Sequence, residues 1–389
     1  MMKIKDYIKD EEIVDIAKSL IAIESHKKEG EVALWIKEYL KAEGINGVID
    51  EVEEDRFNIY AELKGDLDIN GLMFNGHLDT VPGDNMDFEP YKPFISEGKL
   101  YGRGSCDMKG GIASMLAAIT AVKRSGIKLN KGVMFTGVID EEGRSIGAEA
   151  MIKKNIKAEA VVIGEPTNLE VSVMHNGAET MDITFYGKAA HSSNPKNGIS
   201  TIRTATEFLR LIYEELEPII KERQMELVGS SVICPTIING GHTFNVVPDK
   251  CTVTVDRRWL PTETLDSIYE EIKFIAQRAV DKFGGSYEIR AKKEVQATLG
   301  NLSYMIDENR TIVQKALKAA EKITGVKQKT IGFPAWTDAA LLSHYGGMDC
   351  INLGPGGGQQ PHTSNEYCEV KQLIKATHIY IELIEDMCI

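Results

Sequence analysis

The chain has 389 residues, of which 43% are hydrophobic and 26% are charged, and its formal net charge is −13 at pH 7. That length predicts two domains, or one domain with a large insertion, and the apolar content is sufficient for a packed core. The acidic balance argues against a nucleic-acid partner, because phosphate binding requires clustered Lys and Arg side chains.

Neither a membrane span nor an export signal is predicted. The first residues alternate charged and apolar side chains and contain no secretory hydrophobic region. The longest uncharged run, 227–248, is interrupted by Pro235 and by Asn239-Gly240-Gly241, which excludes a spanning helix. Six scattered cysteines without a C-x-x-C pair are typical of reduced thiols. We therefore expect a cytoplasmic protein with no membrane contact.

The first part of the chain repeats strand, polar tip and helix, which is typical of an α/β sheet covered on both faces. Spacing of apolar residues distinguishes the helices from the short buried strands. The predicted elements are, in chain order, helices at 10–25 and 31–43, strands at 48–52, 57–63 and 72–74, a helix at 108–125, a strand at 132–139, a helix at 146–154 and a strand at 160–163.

The pattern changes after about Asn176 to a β-α-β-β-α-β succession, which matches a ferredoxin-like arrangement. Its predicted elements are a strand at 180–186, one long helix at 198–222, strands at 230–238 and 251–257, a helix at 265–283 and a strand at 287–291. The α/β style then returns with helices at 307–324 and 370–387, a helix start at Asp338 and a strand at 350–353. We predict one domain from residues 1–176 and 293–389, with a smaller domain inserted at 177–292.

Five candidate metal ligands fall just beyond predicted strand ends, the edge at which open α/β sheets bind ligands. They are His77, Asp107, Glu142, Glu165 and His362. Two imidazoles with three carboxylates suit zinc, or cobalt or manganese in its place, better than calcium or magnesium. The set is too large for one tetrahedral ion. If Asp107 bridges, each of two metals receives one His, one Glu and the shared carboxylate.

Two further carboxylates stand beside these candidates. Glu141 precedes Glu142, and neighbours in a loop can point in opposite directions, so Glu141 can act as a general base. The alternative is a solvated acidic turn, although the run directly follows an apolar strand. Asp79 is placed to accept the second imidazole N–H of His77, with an N-cap or turn role as its alternative.

Five motifs occur in order along nearly the whole chain: Gly76–Pro82, Gly102–Gly111, Asp140–Gly143, Gly164–Thr167 and Pro361–Glu366. Together they resemble the di-zinc amidohydrolases and exopeptidases, a family that includes acetylornithine deacetylase, succinyl-diaminopimelate desuccinylase, aminoacylase and carboxypeptidase G. The resemblance implies a zinc-exopeptidase-like catalytic domain with a central mixed sheet between helices. It also implies a cis peptide bond between Asp107 and Met108.

The resemblance further assigns the site residues, with two divalent metals in each subunit. It implies that His77 and Glu165 hold one zinc, that Glu142 and His362 hold the other, that Asp107 bridges them and that Glu141 is the general base. Asp79, placed beside His77 by its position in the sequence, is counted with the catalytic residues. Cobalt and manganese are the substitutes for zinc.

In the family the inserted domain closes over the active site as a lid and mediates dimerisation. The segment Gly187–Pro195 resembles the one whose histidine reaches the partner subunit, so His191 would act in trans on the scissile carbonyl of a homodimer. Asn245 lies in a segment that resembles one of the family's lid strands, which meet the carboxylate of the substrate.

Arg258 is the predicted partner of a substrate carboxylate. We prefer it to Arg257 because it stands three residues before Pro261, as the family's arginine does, and a guanidinium binds carboxylates in bidentate geometry. The alternative is a sheet-surface arginine in an ordinary salt bridge.

The glycine run Gly354–Gly358 does not predict a nucleotide site, because no helix start with Lys-Ser/Thr follows it. In the family a glycine turn here approaches the substrate, which implies a contact at Gly356. The residues Gly358-Gln359-Gln360 depart from the family pattern and leave the shape of the pocket open. Trp336 either lines that pocket or is a packed aromatic residue.

The sequence therefore predicts metal-dependent hydrolysis of the amide bond of an N-acyl amino acid, of the deacetylase or desuccinylase type. Within enzymes the alternative is a dipeptidase or carboxypeptidase acting on a short peptide. A non-catalytic ligand-binding or sensor protein is the alternative from another class. A dinucleotide-dependent dehydrogenase is weaker, because Gly102-Arg103-Gly104 lacks the third glycine of that fingerprint.

Overall fold

Strands and helices alternate through most of the chain in the computed structural model, which describes residues 3–357 and 359–389. Gly358 of the predicted glycine turn lies outside the described residues. The strands are β1 Gly47–Glu53, β2 Arg56–Leu63, β3 Asn70–His77, β4 Phe94–Ser96, β5 Lys99–Tyr101, β6 Gly132–Val138, β7 Ala160–Ile163, β8 Val171–His175, β9 Gly177–Tyr186, β10 Ala190–His191, β11 Gln224–Met225, β12 Gly229–Ser230, β13 Val232–Gly240, β14 Val246–Val247, β15 Lys250–Trp259, β16 Ser286–Ala291, β17 Tyr304–Met305, β18 Thr330–Phe333, β19 Asp349–Asn352 and β20 Tyr367–Glu369.

Ten α-helices accompany these strands in the described part of the chain. They are α1 Asp10–Ile21, α2 Gly30–Ala42, α3 Lys109–Ser125, α4 Ile146–Lys153, α5 Thr201–Leu211, α6 Glu217–Lys221, α7 Leu265–Phe283, α8 Thr311–Thr324, α9 Ala339–His344 and α10 Val370–Cys388.

The first of two compact units contains the residues up to Val173, together with Ile306–Phe333 and Thr337–Ile389. Its sheet has the strand order β1-β2-β6-β3-β7-β19-β8. The four central strands are parallel and the outer ones antiparallel, so the sheet is mixed. Both β7 and the 71–77 part of β3 are buried at every residue, which requires cover on both faces. The predicted central mixed sheet between helices is confirmed.

A small antiparallel sheet of three strands, in the order β20-β5-β4, was not predicted. Each strand has only three residues, too few to show an alternating pattern. It connects the segment before Asp107 with the segment after His362, because Tyr101 pairs with Tyr367.

The second compact unit contains Met174–Met305 and Pro334–Trp336. Its four-stranded antiparallel sheet has the order β13-β15-β9-β16. Buried side chains of this sheet, among them Phe185, form one core with Phe208 of α5 and Ile272 of α7. Chain order and sheet order are those of a ferredoxin-like fold, as predicted.

The long helix predicted at 198–222 is interrupted. A π-helical turn at Ile212–Leu216 separates α5 from α6. Pro218 lies in the first turn of α6. Proline has no N–H to donate, and its ring clashes with the carbonyl four residues earlier, so a regular helix cannot run through this point. The helix predicted from Asp307 instead begins at Thr311, because Asp307 accepts the N–H of Asn309 in a turn, at 2.8 Å.

None of the six cysteines, all within the described part, forms a disulfide, as predicted for reduced thiols. Among the described residues, no helix combines the length and apolar character that crossing a membrane requires.

Candidate metal centre

His77 is the last residue of β3, and its side chain is almost completely buried. Its Nδ1 lies 3.0 Å from the backbone carbonyl of Asp79 and 3.6 Å from the Asp79 carboxylate. The carbonyl is therefore the closer acceptor, where the sequence had suggested the carboxylate. This contact leaves Nε2 facing Asp107 at 3.0 Å.

The Asp79 carboxylate instead holds the turn after β6. Its two oxygens accept the backbone N–H groups of Glu141 and Glu142 at 3.2 and 3.0 Å. Asp79 thus joins the loop that follows His77 to the acidic turn. Both segments sit at the carboxyl ends of neighbouring parallel strands, which explains their proximity.

Asp107 lies in the loop before α3, and the peptide bond between Asp107 and Met108 is cis, as the family resemblance implied. Its Oδ1 faces His77 Nε2 at 3.0 Å and its Oδ2 faces His362 Nε2 at 3.3 Å. One carboxylate therefore addresses two imidazoles through separate oxygens, which is the arrangement of a bridging ligand.

Glu165 follows β7, and its carboxylate lies 3.9 Å from His77 Nε2. On the other side, His362 Nε2 lies 2.8 Å from Glu142. His362 has a backbone φ of +62°, in the left-handed region that side chains other than glycine rarely adopt.

Two groups of three residues bring their ligand atoms within 4.8 Å of one another: His77, Glu141 and Glu165, and His77, Asp107 and Glu142. The neighbours Glu141 and Glu142 therefore reach different parts of one cluster. All five ligands predicted from strand ends, together with Glu141, converge in the first unit.

Charge is concentrated in this cluster. Burial, reinforced by the negative charges of Glu165 and Asp338, raises the pKa of Glu141 well above its usual value. Burial and the charge of Asp107 likewise raise the pKa of Glu165.

The other groups of the cluster are shifted by their partners. Burial would raise the pKa of Asp107, but hydrogen bonds from His362 and His77 hold it well below its usual range. Hydrogen bonds to Asp107 and Glu142 raise the pKa of His362 to about 10. Carboxylates crowded beside two imidazoles in a mostly buried site form a donor set that fits divalent metal ions of the zinc type.

Two buried carboxylates near the cluster received no role from the sequence. Asp338 is 1% exposed, and burial raises its pKa to about 7. Glu366 is fully buried and accepts the backbone N–H of Asp107 at 3.1 Å. Glu366 lies within a recognised motif, which was the available signal. Asp338 had been predicted only as the start of a helix, and in the segment Pro334–Asp338 only Trp336 had been considered for the pocket.

His191 and Asn245 meet in the second unit. His191 pairs with Val246 across β10 and β14, and Ser192 N–H donates to the Asn245 carbonyl at 2.9 Å. The His191 ring is exposed, and its Nδ1 accepts the Ser193 N–H at 3.2 Å. Its Nδ1 also lies 2.7 Å from Ser193 Oγ. In the tautomer that accepts the Ser193 N–H at Nδ1, the proton of a neutral ring is on Nε2.

Arg257 and Arg258 differ in availability. Arg257 is fully buried, and its guanidinium donates to Glu263 at 2.6 Å. The Arg258 side chain is 46% exposed and is paired with Asp256 at 2.8 Å. Of the two, Arg258 is the arginine accessible to a ligand.

Gly356 and Trp336 are both engaged in packing. Gly356 has φ +80°, and a Cβ there would lie 2.6 Å from Cys106 Sγ, next to Asp107 in sequence. Its N–H donates to the Gln372 side chain at 2.7 Å. The Trp336 indole N–H donates to the Leu302 carbonyl at 2.9 Å, and its ring meets His175 edge-on. Trp336 is therefore a packed aromatic residue.

Comparison with known proteins agrees with this geometry. Residues 73–386 match the sequence profile of Peptidase family M20/M25/M40. The chain is 28% identical over 351 residues to the acetylornithine deacetylase of Pasteurella multocida, covering 87% of this chain and 85% of that protein.

Solved structures share the fold. Aminopeptidase PepT from Bacillus cereus superposes with a TM-score of 0.81 at 23% identity, over 98% of this chain and 99% of that one. YXEP from Bacillus subtilis, a dinuclear metal-binding peptidase of the M20 family, gives 0.75 at 17% identity, over 97% and 98%.

Fold, profile and candidate metal centre thus define a two-domain α/β hydrolase of the metallopeptidase and amidohydrolase class. This chain belongs to Peptidase family M20/M25/M40. It is a hydrolytic enzyme that acts on amide bonds.

Proposed function

We propose that this enzyme hydrolyses the amide bond of an N-acyl amino acid bearing a free carboxylate, using two divalent cations per subunit, with zinc preferred and cobalt or manganese able to replace it. One observation carries the proposal: two imidazoles and four carboxylates from distant segments converge in one cluster, with Asp107 facing both imidazoles. The acetylornithine deacetylase relative supports an acylated amino acid as the substrate class.

The ligand assignment follows from which side chains face each other. His77 with Glu165 would hold one cation and His362 with Glu142 the other, while Asp107 offers one oxygen to each. Two cations held here would polarise the amide carbonyl and acidify a water molecule, chemistry that the side chains do not supply themselves.

Glu141 is the proposed general base. Its carboxylate lies among the ligand atoms, while Glu142 is occupied by His362. Glu141 takes a proton from the attacking water and passes it to the leaving amine. Asp79 accepts the backbone N–H groups of both glutamates. This fixes the turn, so that Glu141 and Glu142 can take different roles.

His191 and Arg258 are the proposed substrate contacts of the inserted domain. With its proton on Nε2, His191 can donate a hydrogen bond to the carbonyl oxygen as negative charge develops there. Arg258 would bind the substrate carboxylate, with Asn245 and the turn around Gly356 as further contacts.

The spacing of these contacts supports action in trans. Gly240 pairs with Cys251 at one end of β15, and Val232 pairs with Arg258 at the other. Seven residues of strand span about 23 Å. The loop carrying Asn245, which contacts Ser192, enters β15 at the Cys251 end. If His191 lies near that end, a substrate the size of an N-acyl amino acid is too short to reach both His191 and Arg258 of one chain. We therefore propose a homodimer, with residues 177–292 as its lid and dimerisation domain and His191 serving the partner's site.

A peptidase acting on short peptides through the same site is the second candidate, and the likeness to aminopeptidase PepT favours it. Activity of the metal-free chain reloaded with zinc or cobalt, measured on acetylornithine, succinyl-diaminopimelate and dipeptides, separates the two. Turnover of the acylated amino acids supports the first proposal. Turnover of dipeptides alone replaces it with the peptidase.

Neighbouring substitutions test the chemistry. We expect Glu141→Gln to lower kcat by about 10²- to 10⁴-fold with two metals still bound, because only the base is lost. Glu142→Gln is the matched control and should instead weaken metal binding. Unchanged turnover in Glu141→Gln would refute the assigned base.

A further inference from the structure

We infer that Glu366 is a positioning residue that fixes the loop carrying Asp107, and that this contact sets the affinity of the metal centre. The inference rests on the proposed function, because it concerns how the proposed bridging carboxylate is held. Glu366 is not itself placed among the metal ligands.

All the acceptor capacity of Glu366 is directed at the Asp107 loop. Its Oε1 accepts the backbone N–H groups of Cys106 at 2.8 Å and Asp107 at 3.1 Å. Its Oε2 accepts the N–H of Gly104 at 3.1 Å and the Arg103 guanidinium at 2.7 Å. A single carboxylate therefore holds three of the four residues from Gly104 to Asp107 by their backbone, and an ionised acceptor makes such bonds short and strong.

Arg103 extends the same connection to the segment after His77. Its Nε donates to the Pro82 carbonyl at 3.1 Å, and its Nη2 donates to the Asn85 side chain at 3.0 Å. Glu366 itself follows His362 by four residues. The pair thus joins the three segments that present His77, Asp107 and His362.

Stability alone does not explain a charged pair at this position. Both side chains are 1% exposed, and buried ion pairs of this kind are often replaced by apolar residues without loss of stability. An apolar side chain cannot accept N–H groups from a loop. The carboxylate is therefore suited to orienting the Asp107 backbone, the role that residues behind metal ligands commonly have.

The test measures zinc binding by calorimetry to the metal-free full chain, for wild type and for Glu366→Gln. The amide keeps the size of the side chain but replaces one accepting oxygen with an NH₂ group. That group would face the N–H donors of the Asp107 loop and could not accept from them. We expect zinc affinity to fall by about 10- to 100-fold. We also expect the visible absorption of the cobalt-loaded variant to differ from wild type, because that spectrum reports ligand geometry.

Glu263→Gln is the matched control. It breaks a comparable pair, since Glu263 is 7% exposed and binds the fully buried Arg257 in the second unit. We expect it to lower the melting temperature and leave zinc affinity unchanged. If Glu366→Gln behaves in the same way as this control, Glu366 has a structural role only and the inference fails.

Arg103→Lys keeps the inference testable if Glu366→Gln does not fold. The variant retains a cation beside Glu366 but loses the guanidinium N–H groups that reach Pro82 and Asn85. We therefore expect zinc affinity to fall several-fold. Unchanged affinity overturns the inference. Failure of the proposed function looks different. In that case wild type itself binds no zinc, and the inference falls with it.

Discussion

Asp107 is the carboxylate that faces both imidazoles of the site. It keeps a low pKa because each of its oxygens faces an imidazole, whereas burial and mutual repulsion raise the pKa of the surrounding glutamates. The pKa of His362 is shifted in the opposite direction from that of Asp107. Its carboxylate partners raise its pKa to about 10. Without metal, the cluster therefore holds protons at neutral pH that a cation would have to displace.

This proton content gives a prediction for metal loading. The pKa of His362, raised to about 10, means that its ring binds a proton in the metal-free protein at pH 7, and a metal requires the neutral ring. We expect zinc binding to release protons and to weaken as pH falls. For His362 the release disappears as pH rises through about 10. Calorimetry at pH 7 in buffers with different ionisation enthalpies measures it, and a buffer-independent enthalpy would contradict it.

The convergence of side chains was predictable from the sequence only where a motif or a strand end marked them. The five candidate ligands and Glu141 stood at such positions. Glu366 did not reveal its role, because its partner Arg103 lies 263 residues away along the chain. The second contact of His77 was also misjudged, since choosing between the carbonyl and the carboxylate of Asp79 requires coordinates.

At the scale of elements, α3 depends on a close approach to the end of β7. A Cβ at Gly111 would lie 2.3 Å from the Gly164 carbonyl oxygen, directly before Glu165. The first turn of α3 can therefore contact this backbone only if it lacks a side chain.

Substitution of this glycine should reverse the usual helix preference. Alanine is favoured over glycine in a helix by about 1 kcal/mol, but the overlap at Gly111 is with a backbone oxygen and forces a displacement that costs about 2 to 3 kcal/mol. We expect Gly111→Ala to lower the free energy of unfolding by about 1 to 2 kcal/mol, measured by urea denaturation. A variant as stable as wild type would show that α3 moves away freely.

Elements with a clear apolar pattern were the ones that the sequence located well. The bounds of α7, a long amphipathic helix, and of β7, an unbroken apolar run, agree with their predictions. The two-residue strands β10 and β14, which pair His191 with Val246, carry no periodic signal and form only through a long-range pairing. Tertiary context, not local preference, creates such elements.

At the scale of the molecule, the proposed homodimer would divide the substrate contacts at the two ends of β15 between two active sites. Mixed dimers test this proposal directly. In them, a chain with His191→Ala would keep its own proposed base, and a chain with Glu141→Gln would keep the histidine proposed to serve its partner.

Mixing these two inactive chains should restore activity. Half of randomly assembled dimers are mixed, and each contains one complete site, so we expect about a quarter of wild-type activity. Activity after refolding an equimolar mixture measures this, with each variant refolded alone as the control. Mixed dimers without recovered activity would place His191 in its own subunit's site.

The inserted segment leaves and rejoins the first unit at two neighbouring residues. The Val173 carbonyl accepts the N–H of Ile306 at 2.9 Å, so the chain leaves and re-enters the first unit at neighbouring points. A segment inserted between two neighbouring residues can be lengthened or exchanged during evolution with little displacement of the chain on either side of it. Substitutions in the inserted segment would then alter specificity, while the candidate metal ligands are inherited separately, because all of them lie in the first unit.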